Sequence, residues 1–310
     1  CNQTAYNYAP NLQNFFAAID AAAKDKADIL SLEEMGLVGY GADDYHQWNK
    51  NNDTVWEMVQ LVAKYAKKNA PNLVVSLGAP WHYCDKTFPA YDPQYNINNR
   101  PFNTQMAIAG GEVIAISAKS ILADGAAEYE PRQFNAWPVS KGTIEIELPN
   151  GKKVPFGKPI VGLEHNGKHI TLFHEICAEG WPGVGDDLSV NSREKNQVRY
   201  LAKLSEDTDV SVVLNPSASK PQPSINKEEI RAKGLCETGS KHCGAYVYTN
   251  SLGTNAGTMA MEGSQIFAQA GKIVHKGQRY NFKNMSYSSA VMEVPVAERN
   301  YKPHTQIFHN

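Results

Sequence analysis

The chain has 310 residues, of which 42% are hydrophobic and 20% are charged, so it can bury a substantial core and is not a disordered tail. Its 30 basic and 32 acidic side chains give a formal net charge of −2, which provides no reason to expect a nucleic acid or an anionic membrane as partner. No apolar run approaches the roughly 18 residues that a membrane-spanning helix needs. Five cysteines are too few for a disulfide framework, and we expect a reducing, cytoplasmic setting.

The first half of the chain alternates amphipathic helices with short apolar strands. Apolar residues at helical spacing predict a helix over residues 11–24, and the capping box Thr54–Glu57 predicts the start of another. Buried strands are predicted at residues 28–32 and 73–77, and two strands joined by a glycine turn at residues 106–118. Short apolar strands between helices favour parallel sheets that are covered on both faces.

Strands predominate in the second half. Helices are predicted at residues 192–204 and 227–236. The predicted strands lie at residues 142–148, 160–163, 170–173, 209–214, 245–250, 264–273 and 286–294. We find no linker-like shift in composition and no repeat. The sequence therefore predicts an α/β fold with one domain over residues 1–294, followed by a C-terminal tail over residues 295–310.

Three polar residues stand at the ends of predicted buried strands: Glu34, Lys119 and Cys177. Ligands of α/β proteins bind at the carboxyl ends of the strands, so these side chains are candidates for a common site. A carboxylate can take the proton of a thiol, and an ammonium can stabilise both the thiolate and a developing oxyanion. An isolated buried cysteine is most often inert, however, so spacing alone leaves the structural alternative open.

The segments around these residues resemble three motifs of the nitrilase (carbon–nitrogen hydrolase) superfamily. Leu32–Tyr40 resembles its glutamate motif, Ala118–Phe134 its lysine motif, and His174–Trp181 its nucleophile motif, in the family's order. Within the superfamily, the likeness is greatest to the glutaminase domain of glutamine-dependent NAD synthetases. Asn215–Ser219 and Ala260–Ser264 are similar to two further motifs of that domain, and the resemblance covers residues 1–294.

The resemblance implies a four-layer α-β-β-α sandwich, usually paired through its outer helices, and hence a dimer-based homo-oligomer. It also implies a cysteine amidohydrolase that splits a small carboxamide through a thioester. Cys177 would be the nucleophile and Glu34 the base, while Lys119 and the backbone N–H of Ala178 would hold the oxyanion. Tyr40 would line the site beside Glu34.

The departures from the family concern the substrate. The synthetase glutaminases usually carry Cys-Glu-Asp at the nucleophile, where this chain has Cys177, Ala178 and Glu179. Those glutaminases also commonly carry a Tyr and a Phe in the loop after the lysine. By position, these two aromatic residues fall near Gly125 and Glu128 in this chain. These changes leave amide hydrolysis as the expectation and weaken glutamine as the substrate.

Further substrate contacts are candidates by position alone. The superfamily's second glutamate would fall at Ala127, where Glu128 or Glu130 could substitute. The late motif contributes Ser217 and Ser219, and Lys227 is the nearest basic residue that could meet a substrate carboxylate.

Two other functions remain open on the sequence. Cys1 could be the nucleophile of an N-terminal-nucleophile hydrolase, although it also matches the end of the superfamily's first strand, with strand residues expected before it. Alternatively, the chain could be an inactive or assembly-forming homologue. We expect no cofactor and no metal, because an Asn-Gly turn interrupts the histidines at 165, 169 and 174.

A synthetase needs a Ser-Gly-Gly-x-Asp-Ser-type pyrophosphate loop, and the 310 residues of this sequence contain no such motif. This chain by itself is therefore not expected to bind ATP and make NAD. A separate synthetase partner that accepts the ammonia is compatible with the sequence, but no residue indicates it.

Overall fold

The computed structural model describes residues 1–47, 51–83, 100–124, 129–165, 167–181, 200–222, 226–255, 259–297 and 303–309. The helices in these ranges are α1 (Tyr8–Lys24), α2 (Asn51–Asn69), α3 (Glu130–Gln133), α4 (Tyr200–Asp207) and α5 (Lys227–Glu229). A π-helix, Ile230–Glu237, continues α5, and 3₁₀ turns occupy Tyr40–Gln47, Val139–Lys141 and Cys177–Gly180. None of the helices described is both long enough and apolar enough to cross a membrane.

Fifteen strands are described. They are β1 (Ile29–Ser31), β2 (Val74–Trp81), β3 (Phe102–Ala109), β4 (Glu112–Ala118), β5 (Thr143–Glu147), β6 (Lys153–Gly157), β7 (Val161–His165), β8 (Lys168–His174), β9 (Val212–Ser217), β10 (Ala245–Asn250), β11 (Leu252–Asn255), β12 (Met259–Glu262), β13 (Gln265–Gln269), β14 (Lys272–Lys276) and β15 (Thr305–His309).

Within the described residues, most strands belong to two mixed sheets. The first has the order β1-β2-β3-β4-β6-β5, and the second β14-β13-β10-β9-β8-β7-β15. In the first sheet, β1 is parallel to β2, whereas β2 with β3 and β3 with β4 are antiparallel. The prediction of parallel sheets is therefore only partly confirmed, because β1 with β2, β4 with β6, β8 with β9 and β9 with β10 are parallel and other pairs are not. The glycine turn between β3 and β4 allows only an antiparallel pair, because parallel neighbours need a long crossover.

Three apolar clusters show how the layers are stacked. The first joins α1 and α2 to the first sheet, with Phe15 and Val59 among its members. The second lies between the sheets and includes Ala107 and Leu214, and the third joins the second sheet to α4 and the π-helix. The order is helices, sheet, sheet, helices, which is the four-layer α/β arrangement that the resemblance implies.

Strand β3 illustrates why the layers lie where they do. All eight of its residues are buried, and alternate side chains point to opposite faces of a strand. Met106 and Ile108 face the helices, whereas Ala107 and Ala109 face the other sheet. The small alanine side chains let the two sheets approach one another.

Several local predictions differ from the structure. Residues 286–294 form no strand, and α5 passes into a π-helix rather than continuing as an α-helix. The residues predicted as a tail include β15, which pairs in parallel with β7, from Thr305 with Val161 to His309 with His165. A short segment of this kind is ordered by the neighbouring strand, so its own pattern carries little signal. Cys1 is not in a strand; the next residue, Asn2, forms an isolated bridge with Leu252.

Candidate active site

Two carboxylates flank one buried ammonium group at the ends of β1 and β4. Lys119 Nζ lies 2.6 Å from Glu34 Oε1 and 2.8 Å from Glu130 Oε1. The Lys119 and Glu34 side chains are 0% exposed and that of Glu130 is 1% exposed. Buried charges of this kind are tolerated only when they are paired and hydrogen-bonded.

Glu34 is fixed by two further donors. Asn103 on β3 donates from Nδ2 to Glu34 Oε1 at 2.7 Å, and the backbone N–H of Ala218 donates to Glu34 Oε2 at 2.8 Å. Glu34 therefore contacts residues from both sheets. Ala218 lies between the two serines of the predicted late motif, so that motif reaches the carboxylate through its main chain.

Glu130 lies beside Lys119. The sequence had left both Glu128 and Glu130 as candidates for this position. Tyr40 donates its hydroxyl to Glu130 Oε1 at 2.9 Å, and the N–H of Ala123 donates to Oε2 at 2.6 Å. Asn103 also donates to Glu130, at 3.3 Å. The alternative, Glu128, lies outside the described residues, as does Gly125.

Cys177 starts the 3₁₀ turn that follows β8. Its φ of +47° is in the left-handed region, which costs a residue other than glycine roughly 1–3 kcal/mol and is found preferentially at functional sites. Asn215 on β9 donates from Nδ2 to the Cys177 carbonyl at 3.3 Å, and the Ser217 hydroxyl donates to Asn215 Oδ1 at 2.9 Å. Cys177 and Ala178 are each 8% exposed, so the turn is nearly closed to solvent.

The electrostatics of these groups favour a neutral thiol beside a charged lysine. Burial raises the pKa of Cys177 to about 12, the Glu34 carboxylate adds to this rise, and Lys119 opposes it. Burial also raises the pKa of Glu34, against the effect of Lys119. Burial by itself would lower the pKa of Lys119, but the carboxylates of Glu130 and Glu34 raise it well above the usual value. A base is therefore needed to remove the thiol proton.

The remaining candidates lie around the late motif. Arg231 donates from Nη2 to the Ser219 hydroxyl at 3.0 Å and also pairs with Glu262. Lys227, the predicted cation, has its Nζ 6.0 Å from the centre of the Trp181 ring. The sequence analysis missed Arg231; its position four residues after Lys227, on the same helical segment, was the only available signal.

Glu179 is a second residue that the sequence analysis left without a role. Its Oε1 accepts hydrogen bonds from the Ser120 N–H, at 2.6 Å, and from Lys158 Nζ. Its Oε2 accepts from the Ile176 N–H at 2.7 Å. The carboxylate thus joins the residue after Lys119 to the residue before Cys177.

His174 forms a polar contact between the sheets. Its Nε2 lies 2.9 Å from Ser76 Oγ and its Nδ1 lies 2.9 Å from Ser117 Oγ. Gln105 donates to Ser76 Oγ at 2.9 Å and to the Leu32 carbonyl at 3.1 Å. Burial, together with the charge of Lys158, lowers the pKa of His174 to about 3, so the imidazole is neutral.

The other cysteines and histidines do not form a second centre in the part of the chain that is described. Cys1 is buried, and its thiol contacts the carbonyl of Asn14 on α1 at 4.0 Å rather than Lys119 or Glu34. No group of three or more His, Cys, Asp or Glu side chains in the described ranges is arranged to hold a metal ion.

Comparison with known proteins gives a family and a set of relatives. The family model described as carbon-nitrogen hydrolase matches residues 1–179. The glutamine-dependent NAD(+) synthetase of Drosophila melanogaster is 22% identical over 94% of this chain and 33% of its own length. The enzyme of the same name from Oryza sativa subsp. indica is 22% identical over 94% of this chain and 36% of its own length. The chain thus spans about a third of the length of these curated relatives.

Solved structures give the same picture. A glutamine-dependent NAD(+) synthetase from Cytophaga hutchinsonii matches with a TM-score of 0.70 and 29% identity over 91% of this chain and 40% of that one. An amidase from Nesterenkonia sp. AN1 matches with a TM-score of 0.56 and 16% identity over 96% of this chain and 88% of that one. In that amidase structure, the acetamide moiety of fluoroacetamide is covalently added at the active-site cysteine.

Proposed function

Because the chain belongs to the carbon–nitrogen hydrolase family, which confirms the resemblance of its motifs, we propose that it is a cysteine amidohydrolase. It splits a small carboxamide into a carboxylic acid and ammonia through a thioester. The observation that carries the proposal is the buried Glu34–Lys119 pair, 2.6 Å apart, whose charges both act on Cys177. A base and a cation acting on one thiol are what nucleophilic amide cleavage requires.

The first step is attack of the Cys177 sulfur on the carbonyl carbon of the amide. The thiol is protonated at neutral pH because burial raises its pKa to about 12, so the proton passes to Glu34 as the C–S bond forms. The raised pKa of Glu34 suits this transfer, because a more basic carboxylate accepts a proton more readily.

The second step is collapse of the tetrahedral intermediate. The ammonium of Lys119 and the N–H of Ala178 stabilise the negative oxygen, while Glu34 returns its proton to the nitrogen. The C–N bond breaks, ammonia leaves, and the acyl group remains on Cys177 as a thioester. The Glu130 carboxylate, 2.8 Å from Lys119, orients the ammonium and keeps it charged.

The third step is hydrolysis. Glu34 takes a proton from water, whose oxygen attacks the thioester carbonyl, and the acid leaves as the proton returns to the Cys177 sulfur. The enzyme returns to its starting state, with one water consumed for each amide. No cofactor is required for this balance. In the amidase with the same fold, the acetamide moiety of fluoroacetamide is covalently added at the active-site cysteine, which supports a nucleophilic thiol in the proposed mechanism.

For the substrate, we propose a terminal carboxamide of the glutamine type. The names of the curated relatives support glutamine, whereas the Ala178 and Glu179 departures argue for testing other small amides beside it. Glu130, Ser217, Ser219 and Lys227 remain candidate substrate contacts, with Glu128 outside the described residues. A synthetase that accepts the ammonia is the partner this function implies, and a dimer-based homo-oligomer remains a prediction.

The test is ammonia release from glutamine, asparagine, acetamide and propionamide. Cys177→Ala should lower release by roughly a thousand-fold or more, because the nucleophile is lost. Cys243→Ala is the matched control, since it removes a thiol from another part of the chain, and its release should stay at the wild-type rate. Undiminished release by Cys177→Ala would overturn the proposal. No release from any of these amides by the folded wild-type protein would favour an inactive homologue.

A further inference from the structure

A buried ion pair lies directly against the two segments that carry Lys119 and Cys177. The side chains of Lys158 and Glu179 are 2% and 5% exposed, and they are joined by a hydrogen bond. Glu179 also accepts from the backbone N–H of Ser120, at 2.6 Å, and from that of Ile176, at 2.7 Å. One carboxylate therefore receives three donors that come from three different segments of the chain.

We propose that Glu179 and Lys158 form a positioning pair for the reaction. The Glu179 carboxylate fixes the distance between Lys119 and Cys177, and the Lys158 ammonium cancels the negative charge that the carboxylate brings close to the nucleophile. Neither residue touches substrate. The inference rests on the proposed function, because it takes Cys177 as the nucleophile and Lys119 as the oxyanion cation.

The geometry explains why a carboxylate is needed at this position. Ser120 directly follows Lys119 and Ile176 directly precedes Cys177, so the two bonds to Glu179 fix the main chain beside each group. An ionised carboxylate only accepts hydrogen bonds, and two oxygens can serve three donors. A glutamine side chain would turn an NH₂ group towards one of those donors. If the loss of these hydrogen bonds shifts a catalytic group by about 1 Å, the reaction rate can fall by a hundred-fold.

The charge of Lys158 explains why the carboxylate is tolerated there. A negative charge near a thiol disfavours the thiolate, and a positive charge favours it. The charge of Lys158 acts on groups near Cys177: together with burial, it lowers the pKa of His174, three residues before Cys177. Burial raises the pKa of Cys177, Glu34 and Glu130 add to the rise, and Lys119 and a hydrogen bond from Ser217 oppose it. Burial raises the pKa of Tyr248, Arg231 opposes the rise, and Cys177 adds to it.

The experiment measures alkylation of Cys177 by iodoacetamide over a range of pH, with the modified peptide identified by mass spectrometry. Glu179→Gln leaves the Lys158 charge uncancelled, so the thiol pKa should fall and alkylation at about pH 7 should become roughly three- to ten-fold faster. Lys158→Met leaves the Glu179 charge uncancelled, so the rate should fall by a similar factor. A purely structural role would move both rates in the same direction, and that result would overturn the proposal.

The double variant Lys158→Met/Glu179→Gln separates charge from geometry. Neither charge of the Lys158–Glu179 pair is left, so its alkylation profile should return to within about two-fold of wild type. The hydrogen bonds from Ser120 and Ile176 to the carboxylate are still lost. We therefore expect kcat for amide hydrolysis to remain roughly ten-fold or more below wild type while KM changes little. Wild-type kcat in a folded double variant would overturn the positioning role. This variant also carries the test if a single variant fails to fold, as judged by circular dichroism.

Two controls complete the design. Lys152→Met and Glu112→Gln disrupt a solvent-accessible pair with a separation of 2.5 Å, and both should leave alkylation and kcat unchanged. Alkylation needs no turnover, so its result is independent of the proposed activity. If ammonia release survives in Cys177→Ala, the proposed function fails. If the two single variants shift alkylation in the same direction, the positioning pair fails.

Discussion

Glu130 Oε1 lies 2.8 Å from Lys119 Nζ, and the oxygen of a second carboxylate, Glu34 Oε1, lies 2.6 Å from the same ammonium. An ammonium held by two buried carboxylates stays protonated and has little freedom to move. Its direction is then set by Glu130 when Glu34 takes up a proton from Cys177. The first prediction follows from this difference between the two carboxylates.

Glu130→Gln should lower kcat by about a hundred-fold while KM changes little. The substitution leaves Lys119 oriented by Glu34 alone, and Glu34 changes its charge during the reaction. Ammonia release against substrate concentration measures both constants. Arg132→Gln is the control on the same short helix, because its ion pair with Asp44 is exposed and should not matter. Equal kcat in wild type and Glu130→Gln would contradict a role for Glu130.

The second prediction concerns the acid side of the pH profile. Glu34 must be a carboxylate to act as the base, and burial, with Glu130, raises its pKa above the ordinary value of 4.5, against Lys119. Activity is therefore present above that raised pKa and is lost as the pH falls through it, so kcat/KM should begin to fall above pH 4.5. The pKa of Lys119 lies well above 10.5, so deprotonation of its ammonium should not limit activity at moderately alkaline pH. Measurements of kcat/KM from about pH 4 to pH 9 give the profile, and a flat line down to about pH 4.5 would contradict it.

The third prediction concerns stability and His174. The folded protein lowers the pKa of this imidazole from 6.5 to about 3, so between these values the unfolded chain binds a proton that the folded chain does not. The free energy of unfolding therefore falls as the pH drops from about 6.5 towards 3, by roughly 2 kcal/mol from this group between pH 6.5 and pH 5.

His174→Gln removes this titration while keeping a hydrogen-bonding side chain between Ser76 and Ser117. The variant should be less stable than wild type at about pH 7 but should lose less stability on acidification. Urea unfolding at about pH 7 and pH 5 gives the comparison. His46, whose pKa burial lowers to about 4, titrates in both proteins, so only the difference between them tests His174. An equal loss in both would contradict the prediction.

The fourth prediction concerns Gly180, at the end of the turn that carries Cys177. A Cβ atom at this position would lie 2.4 Å from Leu235 Cδ1 and 2.8 Å from the Tyr246 hydroxyl. Gly180→Ala must therefore displace either the turn or the side chains packed against it, and kcat should fall by roughly ten-fold or more. Gly151→Ala is the control, because its φ of +80° gives backbone strain with nothing within 4 Å of the added atom. It should lower thermal stability slightly and leave the activity of the folded enzyme unchanged, whereas equal activity of Gly180→Ala would contradict the prediction.

The sequence was informative wherever a signal is local. Amphipathic spacing predicted α1 and α2, and the three motifs predicted that Glu34, Lys119 and Cys177 follow strands, because strand ends and turn residues are adjacent in the chain. Strand direction was predicted only in part, since the sheets are mixed and the direction of a pair depends on which strands meet. The strand β15 was missed because its order comes from pairing with β7, about 140 residues earlier.

For the candidate site too, local motifs were predictable from the sequence and contacts between distant segments were not. The amino-acid sequence by itself determined the family, the fold and the three residues proposed for catalysis, because their motifs are short and contiguous. Only the tertiary structure decided that Glu130 lies beside Lys119, that Arg231 contacts Ser219, and that Glu179 joins Lys158 to both catalytic segments. These contacts join segments that lie far apart in the chain. A buried charge is tolerated only beside a partner, and which partner is near it depends on how the sheets pack.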